Sequence, residues 1–140
     1  MIVVDTNVAS DLMRPAPSAA VAGWVRTRRP GELYTTSVTL AEVLYGIERL
    51  SDGRHKELLK AAARDVFSAF ADQLLAFDAA AASEYAELVS ARERSGAPID
   101  GFDAQIAAIC RAHGATLATR NVRDFEGTGV QTIDPWSLRV

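Results

Sequence analysis

The chain alternates short apolar runs with longer helix-patterned stretches, and this alternation constrains the fold more than any other feature. Ile2-Val3-Val4 is a β-branched run beginning at the second residue, and it stops at the polar triplet Asp5-Thr6-Asn7. A run of this kind suits a central strand buried on both faces. A short helix to Met13 follows, broken by Arg14-Pro15-Ala16-Pro17, and Ser18 opens a second helix reaching about Arg29. Leu33-Tyr34-Thr35-Thr36 is a second strand. Ser37 to Leu50 is a helix capped by Ser37 or Thr39, and Gly53 to Ala71 is a longer one. Leu74-Leu75-Ala76-Phe77 is a third strand, after which Asp78 caps an Ala-rich helix to about Arg94. A turn at Ser95-Gly96-Ala97-Pro98 leads to a last helix, Phe102 to His113, closed by Gly114. Ala115 to Thr119 and Val130 to Ile133 complete the strands. The expected fold is α/β, with a mostly parallel central sheet and helices on both faces. With 140 residues and no linker, repeat or low-complexity tract, one domain over residues 1–140 is expected.

Composition narrows the chemistry. Apolar residues at 49% and charged residues at 24% exclude disordered, collagen-like and coiled-coil chains. There is no basic leader and no apolar run long enough to span a membrane, so a cytoplasmic location without membrane association is the expectation. The lone Cys110 and two separated histidines cannot build a structural zinc site, so any metal must be held by oxygen. The net charge of −3 argues against simple electrostatic binding of nucleic acid. Its distribution is uneven: Leu12 to Gly31 holds Arg14, Arg26, Arg28 and Arg29 with no acid, and Ala104 to Arg123 holds Arg111, Arg120 and Arg123 with none. Exposed arginines usually only solubilise, which is the plain reading of these runs.

In open parallel sheets chemistry gathers at the carboxyl ends of strands. Asp5 stands at such an end, where an acid also serves as a helix cap, and Thr6 and Asn7 supply more polar groups than a cap needs. Glu42 follows Thr39 at capping-box spacing, yet it lies outside the apolar stripe of Leu40, Val43, Leu44, Ile47 and Leu50 and beside Gly46 one turn on. That arrangement suits either an exposed first-turn acid or a groove open to a ligand. Asp103 falls at an angle between Ala107 and Cys110, inside the apolar face of its helix, where a carboxylate needs a partner or the helix dipole. Asp100 precedes the helix and ranks below it. Three carboxylates without a histidine or thiol partner suit a hard divalent cation, Mg2+ or Mn2+. A carboxylate-held cation generates a hydroxide nucleophile and neutralises charge on a phosphodiester, which lets an acidic protein act on nucleic acid.

Four segments belong together: Val3-Val4-Asp5-Thr6-Asn7-Val8, the run from Ser37 to Gly46, the helix start Asp103-Ala104-Gln105-Ile106-Ala107-Ala108, and the run from Leu117 to Phe125. In this order and spacing they resemble the PIN-domain family, and more closely its VapC and FitB-type toxins. The resemblance covers nearly the whole chain, to Asp134-Pro135-Trp136. It implies a metal-dependent endoribonuclease of a bacterial type II toxin–antitoxin pair, with the family acids at Asp5, Glu42 and Asp103. It also implies a homodimer, silenced by a small cognate antitoxin that inserts a tail into the active-site groove and binds promoter DNA only as the complex. Such proteins often carry a fourth acid at or just after the Thr-Arg step; here Asn121 holds the nearer position and Asp124 lies three residues on. Thr6, Asn7, Thr119 and Asn121 are expected to position water or the metal-bound acids, and Arg120, directly after the strand ending at Thr119, to contact RNA phosphate. Two other readings compete. A phosphotransferase of the haloacid dehalogenase type needs a second Asp where Asn7 stands, and a non-catalytic module binding RNA or antitoxin is disfavoured by the presence of all three acids.

Overall fold

In the computed structural model, which describes residues 1–137, five parallel strands stand in the order β3-β2-β1-β4-β5. They are β1 (Ile2–Val4), β2 (Leu33–Thr36), β3 (Leu74–Leu75), β4 (Thr116–Ala118) and β5 (Thr132–Ile133). The helices are α1 (Thr6–Leu12), α2 (Ala19–Arg26), α3 (Ser37–Glu48), α4 (Arg54–Ser68), α5 (Ala79–Arg94) and α6 (Gly101–His113), with a 3-10 turn at Val122–Phe125. The β-branched run at the start of the chain takes the centre of the sheet. Its side chains alternate between layers: Val3 joins Leu117 and the α5 and α6 residues on one face, while Ile2 and Val4 join α1, α2 and Phe70 on the other. Val3 and Val4 are fully buried, each contributing about 1.5–3 kcal/mol of transfer free energy. Helices therefore cover both faces, as the alternation predicts.

The element ends differ from the sequence reading for local reasons. Helix α2 stops at Arg26, three residues early, because the Thr27 hydroxyl donates to the Trp24 carbonyl (2.8 Å) and turns the chain. Helix α3 is capped by Thr36, whose hydroxyl accepts from the Thr39 amide (2.9 Å), rather than by Ser37 or Thr39. Thr39 is thereby fully buried and hydrogen-bonded to Thr36, so no capping box forms with Glu42, which falls in the second turn. Of the α3 stripe, Val43 and Ile47 pack against α4 but Leu44 is exposed. Strand β3 keeps only Leu74 and Leu75, since it pairs on one side with Thr35 and Thr36 and the chain then turns into the Asp78 cap. Gly114 ends α6 in the left-handed conformation (φ 62°) that glycine adopts freely. The Ala-rich α5 spends Ala81 and Leu88 on packing against α6, within the same molecule.

Candidate active site

Because the strands are parallel, the residues that leave β1 and β4 and enter α3 share one edge of the sheet. Asp5 leaves β1 at its carboxyl end, with its amide donating to the Ala118 carbonyl of β4 (3.0 Å). Its side chain caps α1 through the Val8 amide (3.2 Å), so the capping role is real. Asp5 is only 5% exposed, and burial pushes its carboxyl up. Hydrogen bonds from the Thr119 hydroxyl and from the Val8 and Asn7 amides work against that, and the nearby Glu42 charge adds to it. Thr119, fully buried at the end of β4, also accepts from the Asn121 amide (3.0 Å), which fixes its hydroxyl proton toward Asp5.

Glu42 comes from α3, across the edge. The Thr6 hydroxyl donates to Glu42 Oε1 (2.8 Å), a pairing of residues 36 apart in sequence that ties α1 to α3. Asp103 stands in the first turn of α6, half-buried, with its carboxyl pushed up to about 6. Burial is the largest cause, followed by the negative charges of Asp100, Asp124, Glu42 and Asp5. Acids from β1, α3, α6 and the 3-10 turn thus crowd one region, each raising the cost of ionising Asp103. Asp100, set below Asp103 in the sequence reading, caps α6 through the Phe102 amide (3.4 Å) and contributes to that repulsion.

Among the described residues, no Lys, Arg or His forms an ion pair with Asp5, Glu42, Asp103 or Asp124. Nor do three His, Cys, Asp or Glu side chains among them close into a ready-made cage, so the acids form a loose ring coupled through charge. Oxygen donors of this kind, with unneutralised negative charge, fit a hard divalent cation. Cys110 offers no alternative chemistry: burial, aided by the Asp5 charge, pushes its thiol up to about 12.

The remaining predicted residues fall around this ring. Asn7 lies in the first turn of α1, and Asn121 precedes the 3-10 turn without a side-chain cap hydrogen bond. Asp124 is exposed on that turn, and its charge is felt at Asp103. Arg120 is exposed, its guanidinium 5.0 Å from the centre of the Trp136 ring. The other arginine stretches are partly structural: Arg111 pairs with Glu84 (2.9 Å) and Glu87 (3.2 Å), and Arg28 lies over Trp24. Sequence reasoning missed the Thr36 cap, although a threonine ending a strand directly before a helical pattern is a signal for it.

Comparison with known proteins agrees with this arrangement. Residues 2–130 match the PIN domain. The chain is 36% identical over 137 residues to the VapC ribonuclease Y4jK of Sinorhizobium fredii, covering 97% of this chain and 98% of that protein. It is 31% identical to the tRNA(fMet)-specific endonuclease VapC of Shigella flexneri, covering 96% of each. In structure it resembles the crystallised FitAcB of Neisseria gonorrhoeae, with a TM-score of 0.90, 33% identity, and coverage of 99% of this chain and 100% of the other. A structure of FitAB bound to a DNA fragment superposes equally well, with a TM-score of 0.90 at 33% identity over 100% of this chain and 99% of that one.

Proposed function

Since the chain belongs to the PIN-domain family, we propose that it is a metal-dependent endoribonuclease, the toxin of a bacterial type II toxin–antitoxin pair. The observation that carries this reading is the set of acids at one sheet edge with no ion-pair partner among the described residues. Asp5, Glu42 and Asp103 would hold the cation, Mg2+ or Mn2+, with Asp124 as the fourth acid. When bound, the cation supplies an acidified water and a counter-charge for the phosphodiester. The chain's own residues do the positioning. Thr119 donates a hydrogen bond to the Asp5 carboxylate, and Thr6 holds one oxygen of Glu42, leaving the other to accept a hydrogen bond. Asn7 and Asn121 offer neutral amide groups for orienting water without adding charge. Arg120, exposed and with its guanidinium 5.0 Å from the centre of the Trp136 ring, would contact the RNA backbone.

The partners follow from the same reading. They are an RNA substrate, a second copy of the chain, and a small antitoxin, with promoter DNA bound only by the toxin–antitoxin complex; FitAB, solved with DNA, is the relevant relative. A ribonuclease toxin works where its substrate is, in the cytoplasm. No described helix is long and apolar enough to cross a membrane. A PIN-like module that binds RNA or antitoxin without cutting would not need the full set of acids. The test is cleavage of an RNA pool by the purified protein in Mg2+ or Mn2+. Cleavage lost in chelator and in Asp5→Asn supports the reading, whereas cleavage that survives both overturns it.

A further inference from the structure

A cavity of about 400 Å3 opens beside the acidic ring, between α1, α3 and the start of α4. Thr6 and Glu42 form one of its walls, so the hydrogen-bonded pair that bounds the acidic ring bounds the cavity too. Met13, Val43, Ile47 and Leu59 supply the apolar part of its lining, and Ser10 adds a hydroxyl. Arg14 and His55, both exposed, line it as well. Gly46 also lines it, with nothing within 4 Å of where a Cβ would stand. The volume lies within the roughly 300–1,000 Å3 range of small-ligand sites.

We infer that this cavity receives one unstacked base of the RNA, at a nucleotide flanking the cleaved bond, and sets the base preference of cleavage. The inference rests on the ribonuclease reading above. Sequence-specific recognition of RNA takes place mainly on single-stranded bases splayed out of the stack, laid against apolar or guanidinium surfaces and hydrogen-bonded at their edges. A mainly apolar lining suits the face of a base better than a phosphate. The guanidinium of Arg14 is steadied by the buried Asp11 (3.2 Å), and its planar fork suits stacking or a bidentate contact to a base edge. Because Glu42 belongs to both the cavity and the acidic ring, a strand with one phosphate at the acids has a neighbouring base beside the opening.

The test compares wild type with Gly46→Leu, which narrows the cavity, and His55→Ala, which widens it, on short RNAs differing in the bases either side of the cleaved bond. Leu is a better helix former than Gly and meets open space here, so the fold is retained. Thermal unfolding checks this, and His55→Ala carries the test if Gly46→Leu fails to fold. The expected result is a ranking of substrates in wild type that Gly46→Leu compresses or reorders by about tenfold or more in relative kcat/KM, with Mn2+ binding unchanged. An unchanged ranking in both variants overturns the inference while leaving the ribonuclease intact. So does a wild type that cuts all the RNAs equally. An unchanged ranking with inhibition by a cognate antitoxin lost assigns the cavity to a protein segment and also overturns it. A wild type that cuts no RNA in Mg2+ or Mn2+ removes the ribonuclease reading itself, an outcome distinct from the others.

Discussion

Asp103→Asn should stabilise the metal-free protein at neutral pH while removing its response to divalent cations. The carboxyl is raised from 3.8 to about 6 by burial and by four neighbouring acids. A shift of about two units at 1.36 kcal/mol each gives a ceiling of about 3 kcal/mol. The residue is only half-buried, so solvent screening cuts this to about 1–2 kcal/mol, and loss of a favourable first-turn charge on α6 takes back about 0.3–1 kcal/mol. The sign follows from linkage. Above pH 6 Asp103 is ionised in both folded and unfolded chains, and the folded state carries the full repulsion. Between pH 6 and 3.8 the folded state takes up its proton first, and below 3.8 both are neutral and the penalty is gone. Through this group the metal-free protein therefore gains stability as pH falls from 7 toward 4, and Asp103→Asn cancels that gain. Asp5, also raised, contributes in the same direction, and because its charge is coupled to that of Asp103 the difference between variant and wild type reads Asp103 together with that coupling. Urea unfolding followed by circular dichroism, at pH 7.5 and 4.5 in chelator, measures it. We expect the variant to be more stable by about 1 kcal/mol at pH 7.5, with the advantage lost at pH 4.5. Millimolar Mn2+ should raise the midpoint of wild type and not of the variant. A variant less stable than wild type at pH 7.5, or a difference independent of pH, refutes the argument that these acids crowd an unneutralised site.

Asp5→Asn should abolish RNA cleavage with a near-normal unfolding midpoint, because Asn caps α1 as well as Asp does, whereas Asp5→Ala should also lose about 1 kcal/mol of stability in the same measurement. Thr6→Val leaves Glu42 without its donor and should lower kcat by tenfold or more, by about the free energy of a charge-assisted hydrogen bond, in single-turnover assays. Arg120→Ala should weaken RNA binding and reduce the slope of log K against log salt by about one, read from binding isotherms at several salt concentrations, with Mn2+ affinity unchanged. Light scattering should give a mass twice that of the 15.0 kDa chain, and a monomer across micromolar concentrations would refute dimerisation.

Much of the architecture was written locally. The β-branched run of Ile2 to Val4, the turn residues after each helix, and the caps Asp5, Ser18 and Asp78 all act on neighbours within a few residues, so periodicity and capping chemistry expose them in sequence. The inward tilt of Asp103 follows from the 100° step of its own helix and was likewise visible. The Thr36 cap of α3 was local as well, since Thr36 ends β2 in the extended conformation directly before the helix and its hydroxyl reaches the Thr39 amide three residues on. The tertiary structure decided what depends on contacts between distant segments. Only the parallel pairing of β1 with both β2 and β4 puts Asp5, Thr119 and the start of α3 at one sheet edge. Only the packing of α1 on α3 joins Thr6 to Glu42 and opens the cavity beside Gly46. Whether Arg111 would face RNA or its own protein was settled by α5, whose Glu84 and Glu87 lie within reach and hold it there by charge. Sequence specifies each acid's place along the chain, and long-range packing specifies which charges each must face.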